Sequence, residues 1–123
     1  MISLTAVKDA EKIKNIFDNK NFQYNSKSGC LEVLEKDNVL GLCLYELDKE
    51  KMQILYIEPM TDIALADGIL RSTLHIAAER SIMNAFYSDS VPIDFLKKID
   101  FIKNESEKSL DIDKLFKSCC SCK

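Results

Sequence analysis

The stretch from Thr61 to Arg80, TDIALADGILRSTLHIAAER, constrains this chain more than any other. Its apolar residues Ile63, Ala66, Leu70, Leu74 and Ala77 recur every three to four positions, the stripe of a helix that buries one face. Strand-like runs flank it, MQILYIEP before and SIMNAFYS after. Strand, helix, strand in that order predicts a βαβ unit with a right-handed crossover and two parallel strands. The helix must then begin at the carboxyl end of the first strand. First-turn N–H groups have no intrahelical partner and the helix dipole is positive there, so such a start suits a phosphate-bearing ligand. Thr61 or Asp62 is the expected N-cap.

The rest of the chain supplies a sheet for that unit. Ile2 to Leu4 is compatible with a short strand, and Thr5 to Phe17 spaces Val7, Ala10, Ile13, Ile16 and Phe17 for one face of a helix, with Asp9 and Lys20 placed to suit its dipole. Asn19 to Gly29 is polar and turn-rich, a loop in which Phe22 and Tyr24 either line a pocket or cover the edge of the core. Cys30–Lys36 and Met52–Glu58 read as strands on either side of Val39–Leu47, which is apolar on both faces and so expected at the centre of the sheet. Short turns make these three an antiparallel meander, ended by Pro59. After the βαβ unit, Asp94–Ile99 predicts a short helix, Lys103–Lys108 a polar turn and Leu110–Phe116 a last strand. The expected fold class is α+β: a mixed, mostly antiparallel sheet with one parallel pair and helices on both faces. A crevice should open beyond the carboxyl ends of Met52–Glu58 and Ile82–Ser88.

A chain of 123 residues forms one domain, assigned here to residues 1–117 with a cysteine-rich tail at 118–123. A net charge of −3 gives no general attraction to nucleic acid or to an anionic membrane. No apolar run approaches the roughly 20 residues needed to span a bilayer. Charged residues follow Leu4 at once, leaving no signal-peptide core, and the five cysteines do not form a secreted disulfide framework. The chain reads as cytoplasmic.

Several strings, taken in order, resemble the GNAT N-acetyltransferase superfamily. SLTAVKDAEKIKNIF is similar to its first strand and helix, and EVLEKDNVLGLCLYEL to its hairpin. ILYIEP resembles the strand that ends before the CoA-binding loop, ILRSTLHIAAERSI the helix after that loop, and FLKKIDF its late helix. The resemblance covers nearly the whole chain. It implies the GNAT fold and acetyl-CoA as co-substrate. It also implies direct transfer of the acetyl group to an amine, a small molecule or a peptide, with no covalent enzyme intermediate. A second copy of the chain is a further candidate partner.

The same resemblance assigns site residues. The loop written Gln/Arg-x-x-Gly-x-Gly/Ala falls on Thr61, Asp62, Ile63, Ala64, Leu65 and Ala66, whose backbone would hold the CoA pyrophosphate. Ala64 departs from the first glycine, Thr61 from the basic or amide residue, and Asp62 and Asp67 add negative charge; these acids equally suit the helix dipole. The backbone N–H near Ile57 would contact the acyl carbonyl. The tyrosine that in many members protonates the departing thiolate is replaced by Leu96, and the following glycine by Asp100. Tyr87 is then the candidate acid, with Glu58 or Tyr56 as base or water-orienting group; the alternatives are Tyr87 as a rim aromatic and Glu58 as a solvated strand-end charge. These departures also motivate an alternative, a GNAT-like domain that has lost catalysis and serves as a binding or regulatory module, with the cysteine tail as its partner or metal contact.

Two features stand outside that frame. His75, the one histidine, falls about 140° round the helix from Leu70 and off the apolar stripe, so it is expected to face solvent. Cys119, Cys120 and Cys122 offer three thiols to Zn²⁺ or Cu(I), one short of a closed zinc site; the alternative is a reduced terminus without function.

Overall fold

A computed structural model of the protein describes residues 2–115. The three cysteines of the tail lie outside them, as does the end of the single domain assigned from sequence. Among the described residues no helix is long and apolar enough to cross a membrane. No three His, Cys, Asp or Glu side chains among them converge as a metal site would require.

The chain runs β1 (Ile2–Ala6), α1 (Ala10–Asn19), β2 (Ser28–Glu35), β3 (Asn38–Leu47), β4 (Met52–Glu58) and α2 (Ile63–Glu79). It continues with β5 (Ala85–Tyr87), α3 (Ile93–Lys98), β6 (Ile102–Asn104) and β7 (Ser109–Leu110). One seven-stranded sheet has the order β1-β2-β3-β4-β5-β7-β6. Among the described residues only β4 and β5 pair parallel; every other neighbouring pair is antiparallel. This is the expected α+β architecture, with α1 on one face and α2 and α3 on the other.

β3 is an interior strand, between β2 and β4 and one place from the middle of the sheet, and its side chains are apolar in both directions. Leu42 and Leu44 join Ile13 and Phe17 of α1 in one core. Cys43 and Tyr45 point the other way, into the larger core formed with Ile69, Leu70 and Leu74 of α2. A further tie holds α1 to the sheet, since Lys12 Nζ lies 3.0 Å from Glu32 Oε1. Cys30 and Cys43 are buried in opposite cores, and desolvation pushes both thiols up to about 12, so neither is a thiolate at neutral pH.

Four expectations need correction. The first helix begins at Ala10, not Thr5, because Thr5 and Ala6 pair with Glu32 and Leu31 in the sheet and Asp9 caps the helix by accepting from Glu11 N. The run after Ser81 becomes strand only at Ala85, where pairing with β4 starts. Lys103 and Asn104 belong to β6, not to a turn. The last strand is two residues long, and Ile112 and Leu115 pack into the core beyond it.

Asp100 has φ of 58°, the left-handed conformation that suits glycine after a helix, so the resemblance had placed a glycine where the backbone asks for one.

Candidate functional site

The geometry of the site follows from one extra residue in β4. Leu44 lies opposite Tyr56 and Tyr45 opposite Ile54, so Leu55 bulges out of the ladder. Ile54 faces the α2 core, Leu55 and Tyr56 both face the α1 core, and Ile57 returns to the α2 side. The parallel pairing with β5 ends at the same place. Its last register is Ile54 opposite Tyr87. Ser88 then closes the pair, its N–H donating to Ile54 O at 2.9 Å and its Oγ donating to Leu55 O at 2.8 Å. Beyond that point β4 runs on to Glu58 beside β3 alone, while the chain after Ser88 turns away toward α3. Past that point β4 and β5 are no longer paired, and this unpaired stretch at their carboxyl ends, called the gap below, lies where the sequence predicts a crevice.

The bulge decides which candidate residues meet. Tyr56 and Glu58 lie together on the α1 side, with the Tyr56 hydroxyl donating to Glu58 Oε1 at 2.8 Å. Lys20, the C-cap residue of α1, reaches the same carboxylate at 2.6 Å. Phe22 packs on the Tyr56 ring with centroids 5.9 Å apart, and Tyr24 meets Phe17 edge-on at 6.1 Å. Both loop aromatics thus cover the α1 core, and Phe22 also backs the site. Burial alone would raise the Glu58 carboxyl, but hydrogen bonds from Lys20 and Tyr56, with the Lys20 charge, hold it below its ordinary 4.5. The bond to Glu58 raises the Tyr56 hydroxyl in turn.

Tyr87 sits across the gap on the α2 side, paired in register with Ile54. It is 4% exposed, and its hydroxyl is buried without a hydrogen-bond partner among the described residues. Leu96 is wholly buried in the same core. A cavity of about 330 Å³ adjoins Tyr87, lined also by Ser88, Pro92 and Ile93, with Asp89 and Lys108 paired at its rim. A larger cavity, about 420 Å³, lies against β1 and the carboxyl half of α2. His75 lines it and is exposed, as expected, so the histidine is remote from the gap.

The start of α2 follows β4 after the cis Glu58–Pro59 bond. Asp62 is the N-cap, and its carboxylate accepts from Leu65 N at 3.0 Å. Ile63, Ala64, Leu65 and Ala66 form the first turn after it, with Thr61 just outside. Asp67 pairs with Arg71 one turn on, at 2.8 Å, so its charge is partly offset. Ile57 is 2% exposed, and its side chain packs in the α2 core.

Sequence reasoning missed Lys20 and Ser88. A lysine next to the end of a helix reads as a dipole partner, and nothing local reveals that it reaches β4.

No protein-family model matches the chain, and no curated protein matches it. Solved structures do. A GNAT family acetyltransferase from Elizabethkingia anophelis with acetyl-CoA bound superposes with a TM-score of 0.58 at 12% identity, covering 80% of this chain and 72% of that one. A ribosomal-protein-alanine N-acetyltransferase from Brucella melitensis biovar Abortus 2308 gives 0.57 at 14% identity, covering 81% and 89%. An aminoglycoside acetyltransferase from an uncultured soil metagenomic sample, in complex with trehalose, gives 0.57 at 13% identity, covering 85% and 88%. The fold is that of the GNAT acetyltransferases.

Proposed function

We propose that this protein is an acyl-CoA-dependent N-acetyltransferase acting by direct attack of an amine on the thioester. The observation that carries the reading is the gap itself: β4 and β5 part immediately after the Leu55 bulge, with an ionised carboxylate on one face and a buried phenol on the other. Acetyl-CoA supplies an activated acyl group. The chain's contribution is position and proton management.

Glu58 is suited to take a proton from an amine arriving on the α1 side, and Tyr56, bonded to it, fixes its orientation. The hydroxyl of Tyr87, on the opposite face, has no partner among the described residues and can give a proton to a leaving group there. Tyr87 thus supports the role that Leu96 cannot fill. The backbone edge of β4 between Tyr56 and Glu58 is not covered by β5, which leaves room for an acyl carbonyl near Ile57.

The start of α2 suits the pyrophosphate less well. Thr61 through Ala66 bring helix N–H groups to the carboxyl end of β4, but the Leu65 N–H already bonds to Asp62. A diphosphate would share that turn with a carboxylate, so weak binding is expected. The same contact favours the second reading, a GNAT-fold binding module without catalysis.

Titration with acetyl-CoA, by thermal shift and calorimetry, tests the proposal. Saturation at 100 times Kd should add roughly 2.7 kcal/mol of stability. No shift at millimolar acetyl-CoA would refute the enzyme reading; a shift without CoA release across a broad amine panel would favour the module.

A further inference from the structure

The chain already holds a primary amine against the proposed base. Lys20 Nζ lies 2.6 Å from Glu58 Oε1, the oxygen that also accepts from Tyr56, and 5.7 Å from the centroid of the Tyr56 ring. A carboxylate together with an aromatic face is a recognition site for an alkylammonium group. The Lys20 and Glu58 side chains are 31% and 33% exposed, so a second molecule can reach the pair. Docking of α1 does not require it, because Ile13, Phe17 and the Lys12–Glu32 pair already fasten that helix to the sheet. The contact instead spans from the end of α1 to the last residue of β4, beside the gap.

We propose that Lys20 is an internal acceptor: the protein acetylates its own Lys20 at Nζ. This rests on the acetyl-transfer reading above. In the step the Lys20 ammonium gives a proton to Glu58, and Nζ forms a bond to the acetyl carbonyl carbon. The carbon–sulfur bond breaks, sulfur leaves with the electron pair, and the second proton lost by Nζ passes to it to give the CoA thiol. One acetyl-CoA and one lysine ammonium yield one acetyl-lysine, one CoA and one proton. The acetamide carries no charge, so modification dissolves the ion pair and frees Glu58 and Tyr56 for an external amine.

Two reagents separate seating from mere reactivity. The bond to Glu58 holds Lys20 above the ordinary lysine value of 10.5 although burial pulls the other way, so as an unassisted nucleophile it is slow. Limiting acetic anhydride, without CoA, should therefore label Lys20 less than Lys12 and Lys14 on the same helix. Deuterated acetyl-CoA with the full chain at neutral pH should reverse that order, labelling Lys20 at least tenfold faster than either, as read by peptide mass spectrometry. The rate constant should not depend on protein concentration. Glu58→Gln should slow Lys20 labelling at least tenfold while calorimetry finds acetyl-CoA binding within twofold of the parent.

Acetyl-CoA binding with no preference for Lys20 would overturn this proposal and leave the enzyme reading standing. Absence of binding would remove both. A lead for Lys20 with anhydride as well, a concentration-dependent rate, or unaltered labelling in Glu58→Gln would each overturn it too.

Discussion

The Asp62 carboxylate accepts the Leu65 N–H at 3.0 Å, so α2 begins with its own anion in place. The cap that secures the helix competes with the ligand that a helix start in this position would hold. Asparagine keeps the acceptor oxygen and removes the charge. Asp62→Asn should leave the melting temperature nearly unchanged and tighten acetyl-CoA binding about two- to fivefold at low salt, corresponding to ~0.3–1 kcal/mol of relieved repulsion. The gain should shrink as salt rises. Calorimetry at two ionic strengths measures it, and an unaltered Kd at low salt would mean that no phosphate is seated at this turn.

Tyr87 sets stability against activity. Its buried hydroxyl has no partner among the described residues, a state that costs about 1–3 kcal/mol relative to a satisfied group. Tyr87→Phe keeps the ring and removes the orphan atom. Each kcal/mol recovered should raise the melting temperature by about 3–6 °C. If Tyr87 supplies the proton to the leaving thiolate, amine-dependent CoA release should fall at least ~100-fold in the same variant. A variant that gains stability and keeps its activity would take Tyr87 out of the chemistry.

Glu58 should not shape the pH profile near neutrality. Its folded value lies below 4.5 despite burial, because Lys20 and Tyr56 hydrogen-bond the charged form. Its stabilising contribution is therefore present above the unfolded value and is lost as pH falls through the depressed folded one. Lys20 is raised above 10.5 by the same bond, so its contribution is present below that value and is lost only as pH rises through the elevated one. Between about pH 5 and 10 the pair is intact and, being part-exposed, contributes ~0.2–1 kcal/mol. Any rise in transfer rate across neutral pH then belongs to the acceptor amine. Glu58→Gln should lower kcat/KM about 100-fold or more without moving that rise. A limb that vanished in the variant would assign it to Glu58 instead.

What could be read from the sequence was local. The bounds of β4 at Met52 and Glu58 were fixed by an apolar run between a turn and Pro59, and those of α2 by periodicity and the Asp62 cap. β6 was not legible and β7 only as a last strand with the wrong bounds, because strands of three and two residues are defined by pairing with each other and with β5. The site was half legible for a related reason. Strict alternation along MQILYIE would place Tyr56 and Glu58 on the face of Ile54, and so of Tyr87. The bulge at Leu55 moves them to the opposite face, and no glycine or proline in the run announces it. Lys20 and Glu58 are far apart in sequence, so their contact depends on α1 crossing the sheet.

Two glycines test whether the site depends on the strand beneath it. A Cβ on Gly68, inside α2, would meet nothing within 4 Å, so Gly68→Ala should stabilise the protein by about 0.5–1 kcal/mol through helix propensity alone. A Cβ on Gly41 in β3 would come within 2.6 Å of Glu58 O and 2.9 Å of both Ile69 Cδ1 and Pro59 Cδ. Backbone cannot yield as a side-chain tip does, so Gly41→Ala should cost about 1–3 kcal/mol. It should also push the end of β4 away from β3, moving Glu58 relative to Lys20 and Tyr56. Urea unfolding of the two variants should show opposite signs. Adding Gly68→Ala to Gly41→Ala should recover stability without recovering transfer, because the lost activity comes from the displaced carboxylate; recovery of both would mean that the β3–β4 contact serves stability alone.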